Sequence, residues 1–223
     1  IQVENQNIVP KMSIGIAIYP QNGEDADSLL RAADAAMYAA KNNGKHNFAF
    51  YDAQMTQDAA DRIELEADLR EALVSSEFKL VYQPKVSVSE QNITGVEALI
   101  RWVHPTRGFV SPDVFIETAE RIGLINEIGE WVLDTACRQL QQWKIAGLQL
   151  EMAVNISSSH FSSAGFVRQV ERVINKFDIQ HGELEIEITE SMSRNPVQHV
   201  QVCEELHNKG IKVAIDDFGT GYS

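Results

Sequence analysis

Oxygen-bearing side chains recur at alternate positions of several strand-like segments after residue 78. In LEIEITE, Glu187 lies on the face opposite to the leucine and the two isoleucines, because successive strand residues point to opposite sides of a sheet. The same alternation separates Glu97 from the Val, Ala, Ile and Trp of VEALIRW, and Asn155 from the apolar residues of MAVNIS. Strands that helices cover on both faces normally read as continuous apolar runs. The alternation therefore predicts a sheet with one polar face that has a chemical role.

If helices cover the apolar faces of these strands, the polar faces turn inward together. The predicted interior is lined by Gln83, Glu97, Arg101, Asn155, Glu187 and Asp216. Several carboxylates cannot share a closed interior as free anions, because desolvation and mutual repulsion disfavour the charged forms. A bound cation removes that penalty, and oxygen ligands without His or Cys suit Mg²⁺, Mn²⁺ or Ca²⁺. Asp217 follows Asp216 where the strand ends, and two adjacent acids at a bend suit a two-metal site.

Two of these residues have an ordinary structural interpretation as well. A single glutamate on a strand is most often a solvated edge residue, and only the repetition in phase on five strands favours a metal site. Arg101 shares a face with Glu97 but lies about 13 Å from it along the strand. It is therefore either a buried counter-ion or, at least as well, a ligand for a phosphate group.

Strands and helices alternate along the chain. The strand-like runs lie at 78–84, 93–102, 150–156, 184–189 and 211–217. The helical runs lie at about 111–121, 125–146, 163–177 and 196–209. This alternation predicts a mostly parallel sheet with helical crossovers. The connection between the first two strands is too short for a parallel crossover, so that pair is predicted to be an antiparallel hairpin.

The N-terminal 52 residues form a separate β-α-β pattern. A strand at 11–20, an alanine-rich helix at 25–41 and a short strand in HNFAFYD are predicted. This piece is too small to hold a core of its own, and we interpret it as the end of a domain whose beginning is missing. An acidic amphipathic helix at 56–76 is a plausible connector to the rest of the chain.

Composition limits the classes of function. The 223 residues are 44% hydrophobic and 23% charged, as in ordinary globular proteins, and their formal net charge is −13. Such acidity argues against binding to DNA or RNA polymers. No run approaches the roughly 20 apolar residues of a membrane span. Two cysteines without disulfide or zinc spacing predict a reducing environment, hence the cytoplasm, although segments absent here could anchor a longer parent to a membrane.

Several of these segments together resemble a known family. In chain order they are YQP at 82–84, EALIRW at 97–102, VNIS at 154–157, EITES at 187–191 and DDFGTGYS at 216–223. They resemble the motifs of the EAL domain, and SIGIAIYP with the following LLRAADAAMYAAKNNGKHN resembles the end of a GGDEF domain without its signature loop. We therefore predict a GGDEF remnant at 1–52, a linker and the start of the connector helix at 53–62, and an EAL domain at 63–223.

The resemblance implies a TIM-like (β/α)₈ barrel whose first strand is antiparallel. It implies hydrolysis of cyclic di-GMP to linear pGpG by water activated at a two-metal site with Mg²⁺ or Mn²⁺, in bacterial second-messenger signalling. By motif, the metal ligands and catalytic residues are Glu97, Asn155, Glu187, Asp216 and Asp217. Arg101 would hold a phosphate, and Gln83 and Leu99 would contact the nucleotide. Glu190 would support the loop of Gly219, Thr220 and Gly221, which in the family couples metal binding to dimerisation, so a homodimer is expected.

The family's catalytic lysine, a further glutamate and a glutamine lie in strands after DDFGTGYS. We therefore expect a barrel truncated after about five strands, with little or no hydrolytic activity in this chain alone. Alternatives are a non-catalytic receptor for cyclic di-GMP, and a structural relic stabilised by a second copy. Without the resemblance, a divalent-metal α/β-barrel lyase would remain possible.

Overall fold

The structure is a computed structural model that describes residues 2–3, 6–7, 12–42, 46–189 and 196–216. Backbone contacts divide the chain into one unit of Ile1–Ala67 and a second unit of Asp68–Ser223. The division falls within helix α2 (Ala53–Ala72). The predicted limits of the linker, 53–62, remain a prediction.

The first unit contains the predicted β-α-β piece. Strands β1 (Gln2–Val3) and β2 (Gln6–Asn7) pair antiparallel, whereas β3 (Ile14–Ile16) and β4 (Phe48–Phe50) pair parallel. Helix α1 (Ala26–Asn42) crosses between β3 and β4.

Small residues allow α1 to lie directly on β3. Ala32, Ala36 and Ala40 are buried along one side of the helix. A Cβ atom on Gly15 would lie only 1.9 Å from the carbonyl oxygen of Ala33, so no larger residue fits at that point of contact. At the start of the helix, Asp25 accepts a hydrogen bond from the backbone N–H of Ser28 (2.7 Å), which satisfies one of the free donors of the first turn.

The second unit is built around one sheet. Its strands are β5 (Phe78–Val86), β6 (Ile93–His104), β7 (Gly108–Val110), β8 (Glu151–Asn155), β9 (Leu184–Thr189) and β10 (Lys212–Asp216). Among the described residues, the strand order is β10-β9-β8-β6-β5, and β7 pairs with β6 alone. The predicted hairpin is confirmed, because β5 and β6 are antiparallel. The predicted parallel pairing is confirmed for β6 with β8, β8 with β9 and β9 with β10.

Helices connect the parallel strands. They are α3 (Pro112–Ile122), α4 (Ile125–Ile145), α5 (Ser158–Phe161), α6 (Phe166–Lys176) and α7 (Pro196–Asn208). Helix α4 packs against β8, and its residues Leu133 and Leu140 are buried together with Met152 of that strand. None of the helices in the described ranges is both long and apolar enough to cross a membrane.

Two short elements of the second unit were absent from the sequence-based prediction, as were β1 and β2 of the first unit. Strand β7 has three residues and follows a turn at the end of β6, so it offers too little alternation to be recognised. Helix α5 is a single turn that begins after Ser157, whose hydroxyl accepts a hydrogen bond from the backbone N–H of His160. Helix α5 follows the carboxyl end of β8 and contributes to the candidate site.

Candidate functional site

The register of the sheet brings the predicted polar residues together. Gln83 pairs with Glu97 across the hairpin, and Asn155 pairs with Glu187 across β8 and β9. Asp216 pairs with Thr189 where β10 ends. Parallel strands end at the same edge of a sheet, so these groups lie on one face towards its carboxyl edge.

Glu97 and Asn155 form a direct contact between β6 and β8. The Asn155 side-chain N–H₂ donates to Oε1 of Glu97 over 2.6 Å. A neutral amide therefore fixes one oxygen of this carboxylate, and the charge of Glu97 is not neutralised by that contact.

Glu187 has a cationic partner instead. Nζ of Lys85 lies 2.6 Å from Oε1 of Glu187 and 2.9 Å from Oε1 of Glu185. Burial disfavours the charge of Lys85, but hydrogen bonds to the two carboxylates outweigh burial and raise its pKa. For Glu185, burial acts to raise the pKa, and Lys85 outweighs it, so the pKa lies below its usual value. For Glu187, burial raises the pKa, and neighbouring Glu97 and Glu185 add to that effect against the opposing Lys85.

The second carboxylate oxygen of Glu187 has no hydrogen-bond donor among the described residues. Only 8% of this residue is exposed, and its Oε2 is buried with no hydrogen-bond donor in the described part of the chain. A buried carboxylate oxygen without a donor is unfavourable unless a donor or a cation occupies the position beside it. Carboxylate and amide oxygens are the ligands that Mg²⁺ and Mn²⁺ prefer, so Glu187, Glu97 and Asn155 fit part of a metal-binding set.

The other predicted metal ligands lie at the end of β10 or outside the described residues. Within the described ranges, no three His, Cys, Asp or Glu side chains converge as a metal-binding group. Asp216 lies at the exposed end of β10, and the predicted ligand Asp217 falls outside the described residues. So do the predicted loop residues Glu190, Gly219, Thr220 and Gly221.

A cavity of about 410 Å³ opens beside these groups. It is lined by Leu99, Arg101 and Asn155, three of the predicted site residues, and by Thr189 at the end of β9. The rest of the wall comes from other residues of β6, from the end of β8 and from α3, α4 and α5. It includes the apolar side chains Ile100, Pro112, Ile116, Ile125, Ile128, Ile156 and Val132, together with the polar side chains Glu120 and His160. A mainly apolar cavity with a few polar groups is typical of a small-molecule site.

Arg101 lies at this cavity. Its Nη1 donates to the carbonyl oxygen of Ile100 over 2.8 Å, and the residue is half-buried. Gln83 is exposed on β5 and does not belong to the cavity wall. The structure therefore brings Leu99, Arg101 and Asn155 to one cavity and leaves Gln83 on the same sheet face outside it. The predicted closed interior is not seen in the described residues, because Gln83, Asn155 and Asp216 are exposed.

Sequence reasoning missed Lys85 and His160. Lys85 follows Gln83 by two residues and so shares its strand face, but the predicted strand ended at Pro84, whereas β5 continues to Val86. Proline is tolerated there because β5 is the edge strand of the described sheet. No sequence signal indicates that His160 reaches the cavity, since that depends on its packing against a distant helix.

The geometry agrees with comparisons to known proteins. The EAL domain model matches residues 66–223. The chain belongs to the EAL domain family. The model of the diguanylate cyclase GGDEF domain matches residues 1–47, as the N-terminal motif predicted.

Curated relatives match the whole chain. It is 41% identical over 224 residues to the bifunctional diguanylate cyclase/cyclic di-GMP phosphodiesterase MucR of Pseudomonas aeruginosa, covering all of this chain and 33% of MucR. It is 40% identical to the signaling protein YkoW of Bacillus subtilis, of which it covers 28%. It is 36% identical to the cyclic di-GMP phosphodiesterase NbdA of P. aeruginosa, of which it covers 29%. The chain thus spans about a third of the length of the curated relatives it matches.

Solved structures share the fold. The PaMucR phosphodiesterase in complex with c-di-GMP aligns with a TM-score of 0.70 at 42% identity, over 72% of this chain and 66% of that chain. The EAL enzyme Bd1971, in its cAMP- and cyclic-di-GMP-bound form, aligns with a TM-score of 0.71 at 30% identity, over 89% of this chain and 53% of that chain. EAL domains of this kind are TIM-barrel-like, and the predicted fold class is confirmed.

Proposed function

We propose that this EAL domain hydrolyses the phosphodiester bond of cyclic di-GMP to linear pGpG in bacterial second-messenger signalling. The observation that carries the proposal is the buried Oε2 of Glu187, which has no donor within the described ranges. It lies on the same sheet face as the Glu97–Asn155 contact and near the cavity of Leu99 and Arg101. Similarity to phosphodiesterases named for cyclic di-GMP supports the choice of substrate.

In this proposal, Glu97, Asn155, Glu187, Asp216 and Asp217 hold Mg²⁺ or Mn²⁺. When bound, two such cations supply an activated water and neutralise charge on the phosphodiester. Protein side chains position these ligands. Asn155 orients Glu97 through their hydrogen bond, and Lys85 fixes Oε1 of Glu187 so that Oε2 remains available.

Substrate contacts follow from the cavity. Arg101 carries several N–H donors in a planar fork that matches the oxygens of a phosphate, and it stabilises the charge that develops there. Leu99 and the apolar wall receive a nucleotide base. Gln83 contacts the nucleotide from β5, outside the cavity. Glu190 supports the loop of Gly219, Thr220 and Gly221, through which two copies of the chain form a homodimer.

A second function is a receptor that binds cyclic di-GMP without hydrolysis. The observation that favours it is the Lys85 ammonium on Glu187, because a cation already present at a ligand carboxylate opposes metal binding. The cytoplasm is the location we propose for either function, since both Cys137 and Cys203 are free thiols.

Calorimetric titration of the chain with cyclic di-GMP in the presence of Ca²⁺ tests both functions at once. Saturable binding is expected, and its absence would exclude both. Chromatography after incubation with Mn²⁺ then separates them, because pGpG is formed only by the phosphodiesterase. The rate of pGpG formation in the same assay also tests the expectation that this chain has little activity.

Two variants control the assay. Glu97→Gln removes a proposed metal ligand and is expected to abolish pGpG formation in an active form. Glu151→Gln removes a carboxylate that pairs with Lys212 on the same sheet but outside the cavity wall, and it should leave hydrolysis unchanged. Equal activity of the two variants would contradict the proposed role of Glu97.

A further inference from the structure

Lys85 reaches across two strands to contact its partners. It lies on β5, whereas Glu185 and Glu187 lie on β9, and β6 and β8 are between them in the sheet. Neighbouring strands are about 4.8 Å apart, so the outer two of these four strands are about 14 Å apart along the sheet. The contacts of 2.6 Å with Glu187 and 2.9 Å with Glu185 therefore depend on open space above the two strands between them.

Small residues on β6 and β8 leave that space open. Lys85 pairs with Gly95 on β6, and Glu185 pairs with Ala153 on β8, so both small residues lie on the same sheet face as the ion pairs. A larger residue than Gly95 would displace the backbone, since a Cβ atom there would lie 2.7 Å from the carbonyl oxygen of Glu151. The sheet thus provides the path that Lys85 takes to β9.

The ammonium group of Lys85 lies where it opposes a divalent cation. Glu187 is a proposed metal ligand, and Nζ of Lys85 lies at hydrogen-bond distance from its Oε1. Two positive groups on one carboxylate repel each other, and in a partly buried site that repulsion is stronger than in bulk water. A metal ion and Lys85 therefore compete for Glu187, although the contact with Lys85 also holds the carboxylate in place.

Glu185 gives Lys85 a second place to bind. Its carboxylate already contacts the ammonium group, and it is not among the residues proposed to hold metal. The Lys85 side chain is 38% exposed, so its ammonium group can move from one carboxylate to the other without entering a dry interior. Such a movement costs little, because the charge of Lys85 remains paired throughout.

We propose that Lys85 is a displaceable counter-ion, which pairs with Glu187 when no metal is bound, moves onto Glu185 when Mg²⁺ or Mn²⁺ binds, and thereby sets the metal affinity of the site. This inference rests on the proposed function, because the metal ion is the one assigned to Glu187 there. Lys85 is a positioning residue, since it acts on the metal through Glu187. A merely structural ion pair would stabilise the sheet and would not weaken metal binding.

Three variants separate competition from structure. Lys85→Met removes the ammonium group but keeps a long unbranched side chain. Glu185→Gln removes the second partner, so that Lys85 stays on Glu187. Lys212→Met is the matched control, because it also removes an ammonium group from this sheet face, but one that pairs with Glu151. Affinity for Mn²⁺ is measured by calorimetry, and thermal unfolding of each variant is recorded alongside.

We expect the first two variants to change the Mn²⁺ affinity in opposite directions. Lys85→Met should bind Mn²⁺ about tenfold more tightly than the wild type, although its fold is less stable, because the competing charge is gone. Glu185→Gln should bind Mn²⁺ about threefold more weakly, and Lys212→Met should remain within about twofold of the wild type.

Two results would show that the inference is wrong. If Lys85→Met bound Mn²⁺ no more tightly than the wild type, or if Lys212→Met tightened binding equally, Lys85 would be a structural ion pair only. If Glu185→Gln bound Mn²⁺ as tightly as the wild type, Glu185 would not receive Lys85 when the metal binds.

The wild-type chain provides a test that needs no variant. In NMR spectra that detect lysine ammonium groups, the Nζ resonance of Lys85 should shift when Mg²⁺ is added, because its contact with Glu187 is lost, whereas that of Lys212 should not. An unchanged Lys85 resonance at saturating Mg²⁺ would overturn the inference and leave the proposed function intact. If the wild-type chain bound neither Mg²⁺ nor Mn²⁺, the proposed function itself would fail.

Discussion

The two faces of the large sheet share the same strands but differ in whether their buried side chains have partners within the described part of the chain. Ile186 and Glu187 are neighbours on β9, and both are buried, with 0% and 8% exposure. Ile186 belongs to the apolar face together with Met152, Val154 and Leu184, all of which are fully buried. Glu187 has one oxygen on Lys85 and one with no donor among the described residues. Helix packing accounts for the burial of the first face, whereas the second face holds a buried carboxylate oxygen that has no donor among the described residues and that the proposed function assigns to a metal ion.

The largest effect is expected on the apolar face. Ile186→Ala should lower the free energy of unfolding by about 2–5 kcal/mol, because it leaves a cavity in a close-packed region. Urea denaturation followed by circular dichroism measures the loss. Val103→Ala, at a residue that is 45% exposed on β6, is the control and should lose clearly less. Similar losses at both positions would mean that the sheet face of Ile186 is not a tightly packed core.

Glu187, the neighbour of Ile186 on β9, should contribute little to stability and much to metal binding. Glu187→Gln is expected to change the free energy of unfolding by less than about 1 kcal/mol, because it removes a carboxylate whose charge burial disfavours. Its affinity for Mn²⁺, measured by calorimetry, should fall about a hundredfold, equivalent to about 2.7 kcal/mol. A variant that binds Mn²⁺ as tightly as the wild type would remove Glu187 from the proposed metal site.

Lys85 connects the two carboxylates of β9 and should have an intermediate effect. Lys85→Met removes the ammonium group that lies 2.6 Å from Glu187 and 2.9 Å from Glu185. The expected loss of about 1–2 kcal/mol is below that of a fully buried pair, because 38% of the Lys85 side chain is exposed to solvent screening. Lys212→Met breaks the more exposed contact with Glu151 and should lose less than about 1 kcal/mol in the same urea titration. A larger loss from Lys212→Met would reverse the ranking.

The smallest effect concerns pH. The pKa of His160 is lowered in the folded state by burial, so the unfolded state takes up the proton first as pH falls. The His160 contribution therefore lowers stability as pH decreases below about 6.5, by at most about 1.4 kcal/mol per pH unit. Urea titrations between pH 7 and pH 5 should show a flatter pH dependence for His160→Gln than for the wild type. Parallel curves for the two proteins would mean that His160 keeps an ordinary pKa in the fold.

The strand faces could be predicted because alternation is a local property. Each residue's neighbours in sequence determine whether Glu97 or Ala98 points towards the helices, and the short connection from β5 to β6 determines their antiparallel pairing. For Glu97 and Asn155, the sequence predicts only that the two side chains lie on the same face of the sheet. Their hydrogen bond depends on the register between strands, which the sequence does not specify residue by residue.

Other features depend on contacts that no short segment contains. The ion pair of Lys85 with Glu187 joins β5 to β9. The sequence-based prediction ended the first strand at Pro84, whereas β5 continues to Val86 and so includes Lys85. The cavity position of His160 requires a glycine on another helix, Gly129, to leave space for the ring. The ligands and loop residues beyond Asp216 remain predictions from the family motif.

The hairpin of β5 and β6 has a consequence for the order of folding. Its turn is closed locally by the backbone hydrogen bond from Ser87 to Asn92 (2.9 Å), so the two strands can pair within microseconds of chain motion. The parallel strands that carry Asn155 and Glu187 must wait until their long helical crossovers close, which is slow because distant parts of the chain must meet. In pulse-labelling hydrogen exchange during refolding, we expect the amides of β5 and β6 to become protected before those of β8 and β9. Glu97 would then belong to a hairpin that forms early, and the candidate site would be complete only after β8 and β9 have paired with it.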